Sequence, residues 1–529
     1  MVPKSDVPRS TFSTTHTVKS TFDFDYLVPI HVDEVLPGDV HKGDVTIFAR
    51  IANLLFPLMD NLEVETFFFF VPSRIIWSNW KKFMGEQTNP ADSIAYTIPQ
   101  CTGVPGGVPV GSIFDHMGIP GAGQVTGTLN VNALPLRAYN LIYNEWFRDE
   151  NLQNSVSVLL TDGPDANATY TLLKRNKKHD YFTAALPWPL KGGVEVPFFG
   201  TGQATVKTAV GDIYTGVQNP LRALVASTGA ALAANQTLNN TVGDPGRIGT
   251  VAGGGGPNAS AIFPSNLYAD LASTGGSTIN ALRLAAATQQ FLEKDARGGT
   301  RYTELLKNHF GVTPEDARLQ RPEYIGGGRS PVQTSAIPQT SATGLTGGST
   351  PAGSLTGQAI ASAQHRFSYH ATEHGYIIGL ANVTGEITYQ QGLHRMWTRS
   401  TRYDFYWPVF ANLGEQQVRQ DEIYALGTAA DTTIFGYQER WAEYRYRPSR
   451  IVSLFRSTAA LNIDEWHLSQ QFVGAPTLAS TFITQSTPGT RVLAAGAQAA
   501  GLMVLFDSVF SIRCTRPIPT YSVPGLTRF

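Results

Sequence analysis

The sequence predicts a mainly β chain built as two packed sheets, with long excursions between the strands. Three observations carry this. First, "NLEVETFFFFVPSR" (61–74) holds four consecutive phenylalanines, Phe67 to Phe70, closed by Pro72. A strand with one wet face alternates apolar and polar residues, so this run reads as a strand covered on both sides. It is far too short to cross a bilayer, which needs about 20 apolar residues. Second, short apolar runs end repeatedly at Pro or Gly, with 32 prolines and 51 glycines in 529 residues. Third, only 15% of residues are charged, against an ordinary ~25%. Low charge fits either a surface that faces other protein or a large core, and composition leaves both open.

Residues 1–20 are polar and rich in Ser and Thr, and read as an extended arm. In "FDFDYLVPIHVDEVLPGDV" (22–40), Phe22, Phe24 and Tyr26 alternate with Asp23 and Asp25, a period-2 strand signal, and Pro37-Gly38-Asp39 marks a turn. Residues 62–71 read as a strand, while 45–56 are apolar without a decided state. Leu136, Tyr139, Tyr143, Trp146 and Phe147 recur at helical spacing, with Asn132 placed to cap ahead of Pro135. A second helix is expected over Ile279–Arg297, capped by Ser277 or Thr278 and stopped at Gly298-Gly299. A third holds Tyr302, Leu305, Leu306 and Phe310 and stops at Gly311.

Two regions differ in texture. Residues 203–278 carry only six charged residues, Lys207, Asp212, Arg222, Asp244, Arg247 and Asp270, and include the run Gly253 to Gly256. Four glycines bury little and forfeit much backbone entropy, so this stretch is expected outside the core. Residues 330–364 contain no charged residue and are read either as disordered or as wedged between subunits. Strands return in "HGYIIGLANVTGEITYQ" and "AGLMVLFDSVFSIRC". The expected organisation is an arm (1–20), a first part of the β domain with a helical insertion (21–202), a surface insertion (203–278), and the remainder with helices and a basic tail (279–529).

Motifs for chemistry are scarce. There is no P-loop, CxxC, HExxH or GxSxG pattern, and no enzyme activity is expected. Cys101 and Cys514 form no disulfide framework and no zinc spacing, which fits a reducing compartment. The N-terminus lacks an apolar signal segment. His365, His370 and His374 cluster with Glu373. On a helix His370 and His374 could chelate a metal, but on a strand they lie ~13 Å apart, so structural or interface histidines are the expected reading. No cofactor is expected, with a divalent cation left open.

The net charge of −1 rules out bulk attraction to a polyanion. Local basic stretches remain. "LKRNKKHDYF" (Lys174, Arg175, Lys177, Lys178, His179) is expected to be a solvated loop, with nucleic-acid contact as the alternative. "ERWAEYRYRPSR" interleaves Arg440, Arg445, Arg447 and Arg450 with Trp441, Tyr444 and Tyr446. Such residues suit base stacking but are enriched at protein interfaces, and a subunit interface is the preferred reading. The tail "RCTRPIPTYSVPGLTRF" is irregular, rich in proline and basic. With the arm it offers Lys4, Arg9, Lys19, Arg513, Arg516 and Arg528 as residues facing nucleic acid.

The stretches "FDFDYLVPIHVDEVLPGDVHKGD", "FFFFVPSRIIWSNWKKFMGE", "RAYNLIYNEWFRDENLQ", "KHDYFTAALPWPLKG", "RPEYIGGGRSPVQTS" and "RYDFYWPVFANLGEQQV" resemble the major capsid proteins of gokushoviruses. These are small icosahedral phages of the microvirus family with single-stranded DNA. The resemblance spans most of the chain and is weakest over 203–278. It implies an eight-stranded viral jelly roll with long insertions and sixty copies in a T=1 shell, assembled in bacterial cytoplasm. It also implies a small basic protein with the DNA inside and no membrane insertion. The variable insertion would project at the three-fold axes toward the host cell, with Asn235, Asn239, Asn240, Arg247 and Asn258 near its tip. The alternative of another class is a monomeric β-sandwich that binds glycans as a lectin or adhesin.

Overall fold

The computed structural model describes residues 8–103, 106–189, 191–192, 279–312, 320–340, 353–411, 413–494 and 498–521, together with six three-residue strands between 206 and 269. The chain divides into two compact units, residues 1–189 with 295–529, and residues 190–294.

The larger unit is organised by one antiparallel sheet. Its strands are β1 (Ser10–Phe22), β2 (Val28–Val35), β3 (Val40–Ile51), β4 (Leu62–Pro72), β5 (Glu323–Pro331), β6 (Gln333–Pro338), β7 (Leu355–His370), β8 (Gly375–Gly385) and β9 (Val504–Arg516). The order is β1-β9-β3-β7-β5-β4-β8-β2, with β6 also paired to β7. Only Val332 separates β5 from β6, so these two are one bent strand and the sheet has the eight chain passes of a jelly roll. The first half of that strand pairs with β4 and the second with β7, which carries the sheet round from one face of the barrel to the other. Gly326 and Gly327 lie within β5, beside its register shift, with φ +149° and +146°. A Cβ on Gly327 would run into the Thr66 carbonyl oxygen, so the close approach requires glycine. The ends of the path, β1 and β2, have no further strand partner among the described residues.

The inward faces form one core. Val45, Ile47, Ala49 and Ile51 of β3 alternate into it with Phe68 and Phe70 of β4, Ile377, Ala381 and Val383 of β8, and Phe506, Phe510 and Ile512 of β9. The other phenylalanines of the run point outward. Phe69 is buried, and Phe67 is partly buried, in a second core with Trp77, Leu136, Tyr139 and Ile142. Helix α1 (Leu134–Ile142) continues as a π-helical turn, Tyr143–Phe147, whose Phe147 ring meets Phe67 edge-on at 5.2 Å. The doubly covered strand predicted for Phe67–Phe70 is therefore found, with the helical insertion as its second cover. Asn132 Oδ1 accepts the Leu134 amide at 2.9 Å, but it stands one residue ahead of the N-cap, Ala133. β8 is buried throughout for the same reason as β4. A third core gathers Tyr181, Phe182, Tyr389, Tyr424 and Phe435 around the hairpin of Glu415–Arg419 and Ile434–Glu439.

The two later helices form as predicted: α2 spans Ile279–Gly298, followed by Gly299 at φ +95°, and α3 spans Tyr302–Phe310, closed by Gly311 at φ +70°. The proposed caps Ser277 and Thr278 lie outside the described residues.

Four expectations are corrected. Residues 10–20 belong to β1, which pairs with β9 over its whole length; threonine-rich sequence suits an extended ladder. The alternation at 22–26 is not a strand. β1 ends at Phe22, and Asp25 turns the chain at φ +73°. Its buried carboxylate accepts from the Thr487 amide and the Thr384 and Thr487 hydroxyls. The charge-free stretch 330–364 is largely β6 and β7, residues 341–352 lying outside the description.

The fourth correction concerns the basic stretch at 174–179, which is not a solvated loop. The outer face of β4 carries Glu63 and Glu65 beyond the phenylalanines, and these carboxylates require cations. Lys178 reaches Glu63 at 2.5 Å and Arg175 pairs with Glu65. Lys177 donates to Gln470 Oε1 at 2.9 Å and lies 3.9 Å from the centre of the Phe482 ring. Burial pushes its ammonium down to about 8.

Candidate nucleic-acid interface and assembly surface

The barrel has a second outer face, made by β1, β9, β3 and β7, which no described element covers with an apolar core. Alternation along β3 sends His41, Val45, Ile47 and Ala49 inward and leaves Lys42, Thr46, Phe48 and Arg50 exposed. On β9 the exposed residues are Leu505, Val509, Ser511 and Arg513, and on β7 they include Ser362, Gln364, Arg366 and Ser368. β1 contributes Ser13, Thr15, Thr17 and Lys19. Five basic side chains (Lys19, Lys42, Arg50, Arg366, Arg513) stand here against two acids, Asp44 and Asp507. Lys19 pairs with Asp507 at 2.5 Å and Arg366 with Asp44 at 2.6 Å. Lys42, Arg50 and Arg513 have no ion-pair partner among the described residues.

Arg513 stands directly opposite Lys42 across the β9–β3 ladder. Like charges in that position are destabilising. An anion lying over the pair would reverse the sign of that interaction.

Of the residues proposed to face nucleic acid, Lys19 and Arg513 lie on this face. Arg513 belongs to a strand rather than to an irregular tail. Arg9 donates to the Gly38 carbonyl. Arg516 closes β9 and is spent within the chain, 3.2 Å from Asp39 and 3.4 Å from Asp33. Lys4 and Arg528 lie outside the described residues. Lys42, Arg50 and Arg366 were missed; the alternation in "HKGDVTIFARI" is the signal that would have found two of them.

The segment 395–411 forms three single 3-10 turns, Arg395–Thr398, Arg402–Asp404 and Pro408–Phe410. Trp397 is 69% exposed and Val409 86%, and Tyr403, Phe405, Tyr406 and Trp407 are each about half exposed. Arg399 lies 4.3 Å from the centre of the Tyr444 ring, joining this patch to the arginine–aromatic stretch. Within that stretch Trp441 is buried and meets Tyr406 edge-on, and Tyr446 stacks on Tyr181 at 5.1 Å. Arg440 lies over the Trp441 ring and Arg445 pairs with Glu439. Tyr444, Arg445 and Arg447 are exposed. The interface signal at 440–447 is thus half internal packing. The larger exposed aromatic surface comes from 397–409, which composition alone does not distinguish from core.

In the unit 190–294, three antiparallel pairs are nested: Val206–Thr208 with Leu267–Ala269, Ala223–Val225 with Ile262–Pro264, and Leu238–Asn240 with Ile248–Thr250. The chain therefore runs out and back, reversing between Asn240 and Ile248. Asn239 and Asn240 lie on the last pair; Asn235, Arg247 and Asn258 lie outside the described residues.

The histidines near 370 do not converge. His365 is buried between Thr66 and Ser330, its ring nitrogens 2.7 Å and 3.0 Å from their hydroxyls. His370 is exposed at the end of β7, and His374 packs edge-on against Trp80. Among the described residues no helix is long and apolar enough to cross a membrane.

A jelly roll with grown loops is an architecture of viral capsid and lectin domains, and a bare polar face beside a large exposed aromatic patch suits a shell subunit. The chain belongs to the family described as capsid protein (F protein), whose profile matches residues 1–526. Capsid protein VP1 of Bdellovibrio phage phiMH2K is 44% identical to it, covering 99% of this chain and 96% of that protein. VP1 of Chlamydia phage 1 is 41% identical (100% and 97%), and VP1 of Spiroplasma virus 4 is 35% identical (100% and 97%). These relatives are gokushoviruses of the Microviridae. The protein is a virion capsid component that assembles with copies of itself, which replaces the reading of a monomeric β-sandwich.

Proposed function

We propose that this chain is the major capsid protein of a small icosahedral phage, sixty copies closing a T=1 shell around a circular single-stranded DNA genome. Assembly takes place in the cytoplasm of a bacterial host. The bare face of β1, β9, β3 and β7 lies toward the lumen, where DNA and a small basic protein meet it. The observation that supports this placement is Arg513 opposite Lys42, a like-charge pair that an overlying anion would relieve. The three cations of this face that have no ion-pair partner among the described residues are a modest contribution, and a separate basic partner would supply the rest of the phosphate neutralisation. The aromatic patch at 397–409, with Tyr444, Arg445 and Arg447, is the surface buried between subunits. Burial of such area is favourable at roughly 25 cal/mol per Å², offset by lost subunit freedom. The insertion that holds the three nested strand pairs carries the host-attachment tip.

The test is the DNA content of purified particles. Lys42→Gln with Arg513→Gln should leave shell yield unchanged and lower the packaged DNA per particle. Full packaging by the double variant overturns the lumenal placement.

A further inference from the structure

We infer that Asp39, His41 and Cys514 form a binding site for a single soft divalent metal ion of the zinc type, at the end of the barrel where β3 begins and β9 ends. His41 and Cys514 are direct cross-strand neighbours in the β3–β9 ladder, and both point inward. Asp39 precedes His41 by two residues, in the turn that opens β3. An Asp-x-His pair at the start of β3 and a Cys opposite it converge without any short Cys or His spacing in the sequence, which is why spacing rules miss them.

The geometry fits a tetrahedral ion. His41 Nε2 lies 3.4 Å from Asp39 Oδ2 and 3.5 Å from Cys514 Sγ, and the three ligand atoms all lie within 4.8 Å of one another. Metal–ligand bonds of about 2.0–2.3 Å imply ligand–ligand edges of about 3.3–3.7 Å. Asp39 and His41 are fully buried and Cys514 nearly so. Asp39 Oδ2 also accepts the Leu36 amide at 3.0 Å, whereas Asp39 Oδ1 and His41 Nδ1 have no hydrogen-bond partner, so the buried carboxylate keeps an oxygen free for an ion. Asp33 Oδ2 stands 3.9 Å from His41 Nδ1, on the side where a carboxylate steadies a ligating imidazole. The mixture of thiolate, imidazole and carboxylate favours zinc over calcium or magnesium, which take oxygen ligands.

Charge counting points the same way. With a neutral thiol, Asp33 and Asp39 outweigh the single guanidinium of Arg516, leaving one negative charge. A divalent ion bound with loss of the thiol proton brings the cluster to neutrality: three negative groups against Arg516 and the ion. Arg516 is the competitor. Its Nε lies 3.2 Å from both Cys514 Sγ and Asp39 Oδ2, while its outer nitrogen is held by the Glu34 carbonyl at 2.8 Å. Removing that side chain should therefore tighten metal binding rather than weaken it.

The probe is Co2+ alone, added to the purified full-length chain, with absorption spectroscopy as the readout. The expected result is one Co2+ per chain with a sulfur-to-cobalt charge-transfer band, displaced by Zn2+. The band should be lost in Cys514→Ser, kept in Cys101→Ser, and reached at severalfold lower Co2+ in Arg516→Gln. Zn2+ should also raise the Tm of the wild-type chain. If the wild-type chain gives no sulfur–cobalt band, the site does not exist, whatever the folding of the variants. A band that survives in Cys514→Ser, or weaker binding in Arg516→Gln, equally overturns the assignment.

Discussion

The two outer faces of one barrel have opposite fates. On the side of β4 and β8, the outward residues Phe69, Val71, Tyr376, Ile378 and Leu380 are buried beneath α1 and its neighbours. On the side of β1, β9, β3 and β7, the outward residues are mostly Ser, Thr, Lys and Arg, with two acids and single exposed apolar residues such as Phe48 and Val509. The inward faces are alike. Described residues of the chain cover one face and leave the other bare. The difference shows that a covered strand loses period-2 alternation, whereas an uncovered one keeps it.

The largest expected effects test the covered face. Phe68→Ala opens the inner core and Phe69→Ala opens the outer one, and each should cost about 3–5 kcal/mol in denaturant unfolding. Phe48→Ala on the bare face should stay within about 0.5 kcal/mol. A small effect for Phe69→Ala would mean that the helical insertion does not close that side.

The insertion is itself anchored by charge. Arg137 of α1 donates to both oxygens of Asp165, at 2.6 Å and 2.8 Å, with both side chains fully buried. Arg137→Met should cost about 3–5 kcal/mol, because Asp165 is left as an uncompensated buried charge. Adding Asp165→Asn should recover much of that loss in a double-mutant cycle.

The next effect is a pH dependence of the inner core. Burial, with His16 and His41 nearby, pushes the His31 imidazole down to about 3 from its ordinary 6.5. The folded state thus holds His31 neutral while the unfolded chain protonates it below 6.5. The resulting stabilisation is complete above pH 6.5 and is lost as pH falls toward about 3. At pH 5 the loss is about 2 kcal/mol. In His31→Phe, unfolding free energies between pH 7 and 5 should run flatter than in the wild type by that amount. Parallel curves would remove His31 as the titrating group.

The smallest effect belongs to the bare face. Arg513→Gln relieves a like-charge pair with Lys42, so stability should rise by a few tenths of a kcal/mol. Binding of a single-stranded oligonucleotide should weaken, with its logarithmic salt slope reduced by about 0.7 for one lost phosphate contact. An unchanged slope would place DNA elsewhere. Separately, replacing 230–260 by a short linker should leave particles that assemble but attach poorly to cells. Failed assembly would make the ribbon structural.

The sequence by itself determined whatever depends on neighbours along the chain. The run Phe67–Phe70 announced a strand with two covers, helical spacing announced α1, α2 and α3, and long aromatic motifs announced the capsid family. Those signals are local, because period and capping are set within a few residues. The tertiary structure alone decided which residues meet across strands. Whether "LKRNKKHDYF" would be wet depended on Glu63 and Glu65 more than a hundred residues away. Arg513 faces Lys42, and Cys514 faces His41, only because β9 pairs with β3 in one register out of many. Arg516 and Arg513, three residues apart in one basic tail, end as an internal ion-pair partner and an exposed cation because an odd separation on a strand sends them to opposite faces.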